Sequence, residues 1–402
     1  MSQTTYKDLS ILDKKSQTFY MGFDASSDSQ AIGNLAAMMF IYALIRHGYD
    51  AIILTGGSTS LIGDPKDTSE RELQSEETIA HNTMCAQKQI EKIFSGQKFR
   101  VVNNLDWTRD VKLLDFLREI GKRYSMTNLV QRDFIAQRMG EGGSGISFAE
   151  FSYTLLQGYD YLHLYDKYGC TLQLGGSDQW GNCLSGVELI RKTRGAEVDV
   201  ITLNLVIDKS TGRKFGKSEA GAVWLDSSKT SIYKFYQFWL NTDDLSVIDF
   251  LKIYTVLSKD EIDELSARFE QSSSDRLAQR TLAYEVTVIV HGREMADRQK
   301  RIAEALFGES SLAELDENEV AIIRQEMPSA KVSIGDSIID VMVRTGLASS
   351  KSEARRLSQS GAVYLSGVPV RHVTFGSEDL LDGKLLLRKG KSLSNSALIE
   401  IK

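Results

Sequence analysis

The sequence has little of what builds disulfide frameworks and rigid turns, since only three cysteines and three prolines occur in its 402 residues. Cys85, Cys170 and Cys183 lack the spacing of a zinc site, and three thiols cannot all form pairs. We therefore expect buried, apolar cysteines in a reducing compartment, which favours the cytoplasm. No protein metal site is predicted.

Long hydrophobic runs are missing as well. No apolar stretch approaches the roughly 18 residues that a membrane-spanning helix needs. The N-terminal residues show no basic stretch followed by an apolar one, so they do not predict a secretory signal. With 42% hydrophobic and 25% charged residues, the composition is that of a globular chain without a membrane partner. Its length predicts roughly two to four domains.

An excess of positive charge is the third absence. The formal net charge is −6 at pH 7, so the chain as a whole does not attract nucleic acid. A nucleic-acid partner would require local basic patches on an acidic background.

Several buried runs that end in glycine or polar residues predict an α/β fold. Residues 19–24, 51–57 and 99–104 have the apolar composition of strands, and the run from Ile32 to His47 predicts a helix between the first two. Residues 25–29 offer serine and aspartate as N-caps of that helix. This alternation predicts a doubly wound parallel sheet, in which ligands bind beyond the carboxyl ends of the strands.

The most informative stretch is the glycine-rich turn Leu172–Asn182, with the sequence LQLGGSDQWGN. Its glycines let the backbone approach a ligand closely, while Asp178 and Gln179 supply groups that orient the ligand. Further along, residues 214–218 read KFGKS, which places two lysines beside a glycine and a serine on a predicted loop. Such a loop brings positive charge onto a polyphosphate during a reaction.

Together and in this order, the two motifs resemble the signature of class I aminoacyl-tRNA synthetases, and of the bacterial-type tyrosyl-tRNA synthetases in particular. The resemblance covers nearly the whole chain, with further matching runs at 103–107, 116–122, 150–153, 156–160 and 224–226. It implies a tyrosine–tRNA ligase, which activates tyrosine with ATP to tyrosyl-adenylate and transfers the tyrosyl group to tRNA(Tyr). It also implies a homodimer.

The resemblance implies three domains. A Rossmann-like catalytic domain is expected at 1–225, with a helical dimer-forming insertion at about 108–165. An all-helical domain that binds the anticodon arm is expected at 226–327, followed by a linker at 327–330. A small α+β RNA-binding domain is expected at 331–402.

The resemblance assigns the tyrosine pocket to six residues, all present here. Tyr20 and Asp160 are expected to hold the substrate phenol group, and four others its α-amino group: Asp64, Tyr153, Gln157 and Gln179. Tyr153, Gln157 and Asp160 stand at i, i+4 and i+7, so a helix places them on one face, as a shared pocket requires. Such a pocket, as the tyrosine-specific synthetases themselves exemplify, rejects phenylalanine because its hydroxyl-binding groups would be left unpaired.

For ATP, the resemblance implies contacts from six residues: Gly22, Asp24, Gly33, Asp178, Lys214 and Lys217. The catalytic group is expected to comprise Lys214, Lys217, Ser26 and Asn34, which stabilise negative charge on the phosphates. Mg²⁺ is expected to enter with ATP.

The ATP side departs from the family at its first signature. Where the family has His-Ile-Gly-His at a helix N-terminus, this chain has residues 31–34 as AIGN. Asn34 still carries a hydrogen-bond donor, whereas Ala31 has none, and the loss of one such donor costs on the order of 3–4 kcal/mol in the transition state. Neighbouring positions also differ: Ala25-Ser26 in place of proline-threonine, Gln30 in place of an apolar residue, and a loop at 66–71 that is one residue shorter and carries Asp67.

The C-terminal part contains residues 350–357 (SKSEARRL) and 360–367 (SGAVYLSG), which resemble a small RNA-binding domain shared with a ribosomal small-subunit protein. The cations of this part are expected to contact RNA, mostly through its phosphates: Lys351, Arg355, Arg356, Arg388 and Lys389.

Three functions remain open from the sequence. The first is a working tyrosine–tRNA ligase, weakened by Ala31. The second is a catalytically impaired relative that binds tyrosine or structured RNA in splicing or regulation. The third is an enzyme that activates tyrosine for another acceptor. Each would keep the tyrosine pocket.

Overall fold

The structure is a computed structural model that describes residues 3–6, 9–13, 17–64, 73–130, 133–140, 142–210, 212, 215–218, 221–379, 383–390 and 392–402. The chain forms two compact units, Met1–Thr230 with Thr242–Ala278, and Ser231–Asn241 with Gln279–Lys402. The helical segment expected at 226–327 thus belongs partly to each unit. The three-domain boundaries stay a prediction.

Within the described residues, the strands are β1 (Gln3–Thr4), β2 (Thr18–Asp24), β3 (Asp50–Gly56), β4 (Phe99–Asn103), β5 (Leu172–Gly176), β6 (Asp199–Leu203), β7 (Lys217–Ser218), β8 (Gly221–Ala222), β9 (Ser329–Val332), β10 (Val363–Leu365), β11 (Val368–Pro369), β12 (Lys384–Lys389) and β13 (Ser396–Ile401). The helices are α1 (Ile32–Arg46), α2 (Gly57–Ile62), α3 (Glu76–Ile93), α4 (Leu105–Thr108), α5 (Leu113–Glu119), α6 (Met126–Val130), α7 (Asp133–Met139), α8 (Phe148–Tyr168), α9 (Trp180–Arg194), α10 (Ile232–Leu240), α11 (Val247–Tyr254), α12 (Lys259–Gln271), α13 (Leu277–His291), α14 (Arg293–Phe307), α15 (Glu317–Glu326), α16 (Ile338–Arg344) and α17 (Lys351–Gln359). In the described part of the chain, none of these helices has both the length and the apolar composition to cross a membrane.

The main sheet of the first unit has, over the described residues, six strands in the order β1-β6-β5-β2-β3-β4. Neighbouring strands from β6 to β4 are parallel, and β1 at the edge is antiparallel. The chain runs outward from β2 through β3 and β4, and then returns to β5 on the other side of β2. This reversal is the switch point at which doubly wound sheets bind ligands. The predicted Rossmann-like fold is confirmed.

Burial explains the apolar composition of the central strands. Tyr20 of β2 and Ile52 and Leu54 of β3 form one core cluster with residues of α8 and α9, and α1 and α3 also pack against β3. Strands covered in this way show continuous apolar runs rather than alternation.

Helix α8 carries three of the predicted site residues, and its local sequence defines both ends. Ser147 Oγ accepts a hydrogen bond from the Glu150 backbone, and the Glu150 carboxylate accepts one from the Ser147 backbone. Gly169 ends the helix in the left-handed conformation. The insertion expected at about 108–165 is largely helical, since α5, α6, α7 and most of α8 lie within it.

Helix α1 begins at Ile32 as predicted, but the predicted cap is wrong. The N-cap is Ala31, which makes no side-chain capping hydrogen bond, rather than a residue of 25–29. The cause lies far away in the sequence. Ala31 forms a β-bridge with Trp224, and the Ile32 N–H donates to the Val223 carbonyl at 3.0 Å.

The predicted linker at 327–330 is wrong in its second half. Ser329 begins β9, which pairs in parallel with β13 in the sheet β11-β10-β12-β13-β9 of the second unit. Leu386 and Leu398 from this sheet pack into one core cluster with residues of α14 and α15. The C-terminal sheet and the preceding helices are therefore parts of one packed body.

Candidate active site

A cavity of about 760 Å³ lies at the switch point of the first unit, lined by residues 20–24 of β2 and 173–176 of β5. All six residues predicted to hold tyrosine line it: Tyr20, Asp64, Tyr153, Gln157, Asp160 and Gln179. Six of the residues predicted for ATP and catalysis line it too: Gly22, Asp24, Ser26, Gly33, Asn34 and Asp178.

Helix α8 presents Tyr153, Gln157 and Asp160 to the cavity from one face, as their spacing predicted. The helix can pack closely against its neighbours because Gly158 has no side chain. A Cβ at Gly158 would lie 2.1 Å from the Tyr124 hydroxyl oxygen and 3.0 Å from Ser185 Oγ of α9. Glycine at this position therefore sets the depth at which α8 lies in the domain.

Asp160 is almost completely buried, at 2% exposure. Its two carboxylate oxygens accept hydrogen bonds from Trp107 Nε1 at 2.9 Å and from Asn104 Nδ2 at 3.0 Å. Burial raises the pKa of Asp160 to about 7, because lost hydration outweighs these two hydrogen bonds and the charge of Asp24 adds to the increase. The group that is expected to meet the substrate phenol thus titrates near neutral pH.

A continuous hydrogen-bond network connects this carboxylate to a second one. Asn104 also donates to Thr59 Oγ1 at 3.2 Å, and Thr59 donates to Asp24 Oδ1 at 2.9 Å. The Tyr153 hydroxyl donates to the other Asp24 oxygen at 3.0 Å. Burial, followed by the charge of Asp24, raises the pKa of Tyr153 well above its usual value. Tyr153 therefore remains a neutral donor.

The third carboxylate of the cavity is also fixed in place. Gln179 Nε2 donates to Asp64 Oδ2 at 2.8 Å, and Asn182 Nδ2 donates to Asp64 Oδ1 at 3.3 Å. Asn182 further donates to Gln179 Oε1 at 3.1 Å. The glycine-rich turn thus orients a carboxylate, and an oriented carboxylate is the group that suits an ammonium ligand.

Three buried polar atoms among the residues that line the cavity have no hydrogen-bond partner among the described residues. They are the Tyr20 hydroxyl, Gln157 Oε1 and Gln173 Oε1. A buried polar group without a partner is costly, and a native structure keeps few of them without reason. A ligand with a hydroxyl and an ammonium group would provide the missing partners.

On the side of the cavity predicted to bind ATP, Ala31 offers no side-chain donor, and two nearby residues contact each other. Asn34 Nδ2 donates to Gln30 Oε1, and the Gln30 backbone N–H in turn donates to Gln89 Oε1 at 2.8 Å. The two residues that replace the family pattern at positions 30 and 34 thus bond to each other. Ala31 contributes a methyl group at the place of the first histidine.

The motifs at residues 31–34 and 214–218 approach each other through Gly33 and Gly216. A Cβ at Gly216, whose φ is +113°, would lie 3.2 Å from the Gly33 nitrogen, so only glycine fits this approach. The neighbouring Phe215 packs on Phe250 of α11, with ring centroids 4.3 Å apart. Lys214 and the side chain of Lys217 lie outside the described residues, as does the loop at 66–71 with Asp67.

Comparison with known proteins identifies the family. The family described as tRNA synthetases class I (W and Y) matches residues 12–308, and the tyrosine–tRNA ligase SYY-like C-terminal domain matches residues 319–393. The tyrosine–tRNA ligase of Streptomyces avermitilis is 42% identical over 393 residues, which cover 96% of this chain and 92% of the relative. That of Geobacillus kaustophilus is 41% identical over 403 residues, covering 97% and 95%.

The chain belongs to the tyrosine–tRNA ligase family of class I tRNA synthetases. Among solved structures, a C-terminally truncated mitochondrial tyrosyl-tRNA synthetase from Aspergillus nidulans is similar, with a TM-score of 0.65 and 29% identity. The match covers 72% of this chain and 86% of that one.

The structure adds residues to the site that the sequence patterns did not predict. Asn104 and Trp107 hold the Asp160 carboxylate, and Thr59 holds the Asp24 carboxylate. Asn104 and Trp107 lie in a run that matched the family, yet only the structure shows their contacts with Asp160. Other lining residues that the sequence patterns did not predict include Gln173, Lys252, Ile253 and Thr255.

The five residues predicted to contact RNA divide into two groups. Lys351, Arg355 and Arg356 are exposed on α17. Arg388 donates to the Leu306 carbonyl, and Lys389 lies 2.8 Å from the Glu353 carboxylate. The cationic groups of Arg388 and Lys389 are therefore engaged within the second unit.

Proposed function

We propose that this chain is a tyrosine–tRNA ligase that forms tyrosyl-adenylate from tyrosine and ATP and then esterifies tRNA(Tyr). The observation that carries the proposal is the cavity at the switch point. There, the six side chains predicted to hold tyrosine line one cavity, and three buried polar atoms of the lining, two of them from this set, have no partner among the described residues. The matches to family members over nearly the whole chain support the same function.

Tyrosine is recognised at both ends. Its phenol hydroxyl fits between the Tyr20 hydroxyl and the Asp160 carboxylate, which Asn104 and Trp107 already hold in place. Its ammonium group faces Asp64 and the Gln157 carboxamide oxygen. Phenylalanine would leave the buried groups at the phenol end unpaired, and an unpaired buried group costs roughly 1–3 kcal/mol.

The chemistry needs position and charge rather than a protein nucleophile. The tyrosine carboxylate attacks the α-phosphorus of ATP, the bond to the bridging oxygen breaks, and pyrophosphate leaves with its electron pair. The chain holds the two substrates in one cavity, which removes most of the entropy cost of their encounter. Gly22, Gly33 and Gly216 let the backbone come close to ATP, and Lys214 and Lys217 are proposed to balance the phosphate charge. Mg²⁺ bound to ATP supplies further charge neutralisation.

A catalytically impaired relative was the alternative from the sequence, because Ala31 removes a donor from the ATP side. The comparisons do not favour this alternative. The relatives that are 41–42% identical over nearly the full length are tyrosine–tRNA ligases. Ala31 is better explained as a change that lowers the rate of adenylate formation.

We also propose a homodimer formed through the insertion. Three apolar side chains in this region are strongly exposed in the single chain: Leu113 at 69%, Leu114 at 77% and Phe148 at 76%. Exposed apolar side chains that form one patch mark association surfaces. Sedimentation should show a dimer for the wild-type chain and a monomer for Leu114→Glu, and a wild-type monomer would contradict the proposal.

The test of the function is aminoacylation of tRNA(Tyr) with tyrosine and ATP. Charging that requires both substrates is expected. Tyrosine binding without any charging of cognate tRNA would favour the impaired relative instead. The cytoplasm remains the proposed location.

A further inference from the structure

The segment at residues 25–30, which leads from β2 into α1, is held at its start by side chains of two neighbouring helices. The Ala25 N–H donates to Ser60 Oγ of α2 at 2.9 Å. The Ala25 carbonyl accepts a hydrogen bond from Asn82 Nδ2 of α3 at 3.0 Å. Proline, which the family pattern has at this position, carries no N–H. The contact with Ser60 therefore depends on the departure from the family pattern at residue 25.

The end of the same segment is held by both polar atoms of one carboxamide. Gln89 Oε1 of α3 accepts from the Gln30 N–H at 2.8 Å, and Gln89 Nε2 donates to Ser29 Oγ at 2.9 Å. The Gln30 carbonyl accepts from Ser29 Oγ at 3.0 Å and from the Leu225 N–H at 2.9 Å. Ser29 and Gln30 are 3% and 4% exposed. The Gln30 backbone is thus fixed at its N–H and at its carbonyl.

This fixed backbone directs the Gln30 side chain to Asn34. Gln30 Oε1 accepts a hydrogen bond from Asn34 Nδ2. Asn34 lies in the first turn of α1 and lines the large cavity beside Gly33. The second N–H of Asn34 Nδ2 and the Asn34 Oδ1 atom have no partner in the part of the chain that the structure describes. One half of the amide is held by the protein, and the other half remains for a ligand.

We propose that Gln30 is a positioning residue for adenylate formation, which holds the Asn34 amide in the orientation that ATP requires, with Gln89 as its anchor. An apolar residue at position 30, as in the family pattern, would accept no hydrogen bond from Asn34. A donor whose orientation is fixed before ATP binds needs no reorganisation during the reaction. The proposal rests on the proposed function, because it assigns the held amide to the chemistry of that cavity.

Gln30→Met removes the acceptor and keeps the length of the side chain. We expect kcat of tyrosine-dependent ATP–pyrophosphate exchange to fall by roughly 10- to 100-fold, as for a displaced positioning group. KM for tyrosine and the melting temperature should stay close to wild type, since Asn34 is half-buried and water can replace the lost acceptor. The matched control is Gln87→Met, also on α3, whose side chain donates to Thr55 Oγ1 at 3.3 Å. It should keep the wild-type kcat.

A double-mutant cycle tests whether Gln30 acts through Asn34. Asn34→Ala should lower kcat at least as far as Gln30→Met does. In the Asn34→Ala background, Gln30→Met should cause no further loss, because no amide is left to orient. Losses that multiply would show that Gln30 serves the fold or the cavity in another way, and would overturn the proposal.

The anchor is tested in the same cycle. Gln89→Met should lower kcat in the wild-type background and hardly at all in the Asn34→Ala background. It should also lower the melting temperature, because the buried Gln30 N–H loses its partner. A lower melting temperature with an unchanged kcat would remove Gln89 from the proposal and leave it a purely structural role.

Nuclear magnetic resonance gives a measurement that needs no turnover. In a chain labelled with ¹⁵N at asparagine, the side-chain amide signal that Asn34→Ala removes belongs to Asn34. Its protons should exchange slowly with water in the wild-type chain and in Gln87→Met, and faster in Gln30→Met. Equal exchange rates in the wild-type chain and Gln30→Met would overturn the proposal.

The proposed function fails on a different result. A wild-type chain without tyrosine-dependent exchange would contradict the ligase and the catalytic part of the Gln30 proposal together, even with a protected Asn34 amide. Wild-type exchange that Gln30→Met leaves unchanged would overturn the role of Gln30 alone.

Discussion

The side of the cavity predicted to bind tyrosine and the side predicted to bind ATP differ in how closely their residues follow the family pattern. On the tyrosine side, every residue that the family resemblance implies is present, and a network from Trp107 to Tyr153 holds the carboxylates in place. On the ATP side, the glycine backbone is retained, but Ala31 stands where a histidine is expected. The Ala31 backbone is instead paired with Trp224.

The difference follows from what each group does in the resting protein. Tyr20, Tyr153 and Asp160 are buried, and Tyr153 and Asp160 belong to one hydrogen-bond network, so losing one member leaves its partner unpaired and costs stability as well as binding. A donor that acts mainly on transition-state charge has no such partner at rest. Its loss lowers the rate and leaves the fold intact.

The largest effect on the free energy of unfolding is expected at the buried ion pair that fixes the start of α8. Arg138 forms a bidentate pair with Glu150 at 2.8 and 2.9 Å, with the two side chains 4% and 2% exposed. Arg138→Met leaves a buried, uncompensated carboxylate one turn before Tyr153, which should cost about 3–5 kcal/mol in the free energy of unfolding.

Urea denaturation measures this cost against the exposed pair of Arg194 and Asp166, at 43% and 39% exposure. Arg194→Met should cost less than about 1 kcal/mol. Equal losses from the two arginine variants would show that burial does not strengthen the anchor of α8.

A second test restores the family's histidine side chains at positions 31 and 34, on the side of the cavity predicted to bind ATP. Ala31→His with Asn34→His should raise kcat of ATP–pyrophosphate exchange, by up to the 10²–10³-fold that one preorganised donor contributes. KM for tyrosine should hardly change, because the restored contact exists mainly in the transition state. Good ATP binding without any gain in rate would mean that the missing donor does not limit the reaction.

Asp160→Ala tests the tyrosine side through binding. The substrate phenol loses its partner, so calorimetry should show tyrosine binding weakened by about 1–3 kcal/mol, with ATP binding unchanged. Asp166→Ala, an exposed change on the same helix, serves as the control. Equal tyrosine affinity in both variants would remove Asp160 from the pocket.

The pH dependence of stability gives the smallest effect. Because burial raises the pKa of Asp160 to about 7, its ionisation costs nothing below the ordinary aspartate pKa of about 4. The cost grows as pH rises and is complete above the folded-state value. Asp160→Asn removes this cost, so its free energy of unfolding relative to wild type should rise by about 1–2 kcal/mol from pH 6 to pH 8. A difference that does not change with pH would contradict a raised pKa.

Local patterns in the sequence predicted the structural features that are set by residues close together in the chain. The spacing of Tyr153, Gln157 and Asp160 placed them on one helix face, and the apolar runs placed the central strands. The cap of α1 and strand β9 were mispredicted because their partners, Trp224 and β13, are distant in the sequence. A propensity for a cap or a linker yields to such long-range pairing.

The support around the site was not predictable for the same reason. Thr59, Asn104 and Trp107 come from separate elements, and their side chains converge only when the sheet and α8 have packed. Arg388 belonged to a basic run in the sequence, but its guanidinium group bonds to a backbone carbonyl. Charge patterns alone do not separate solvent-facing cations from those used inside a fold.

The most direct test of the account is ATP–pyrophosphate exchange by the wild-type chain with tyrosine and phenylalanine compared at equal concentrations. A complete tyrosine side beside an altered ATP side predicts exchange that saturates with tyrosine, that is undetectable with phenylalanine, and that is limited by kcat rather than by tyrosine affinity. Equal exchange with both amino acids, or no exchange with tyrosine, would contradict it.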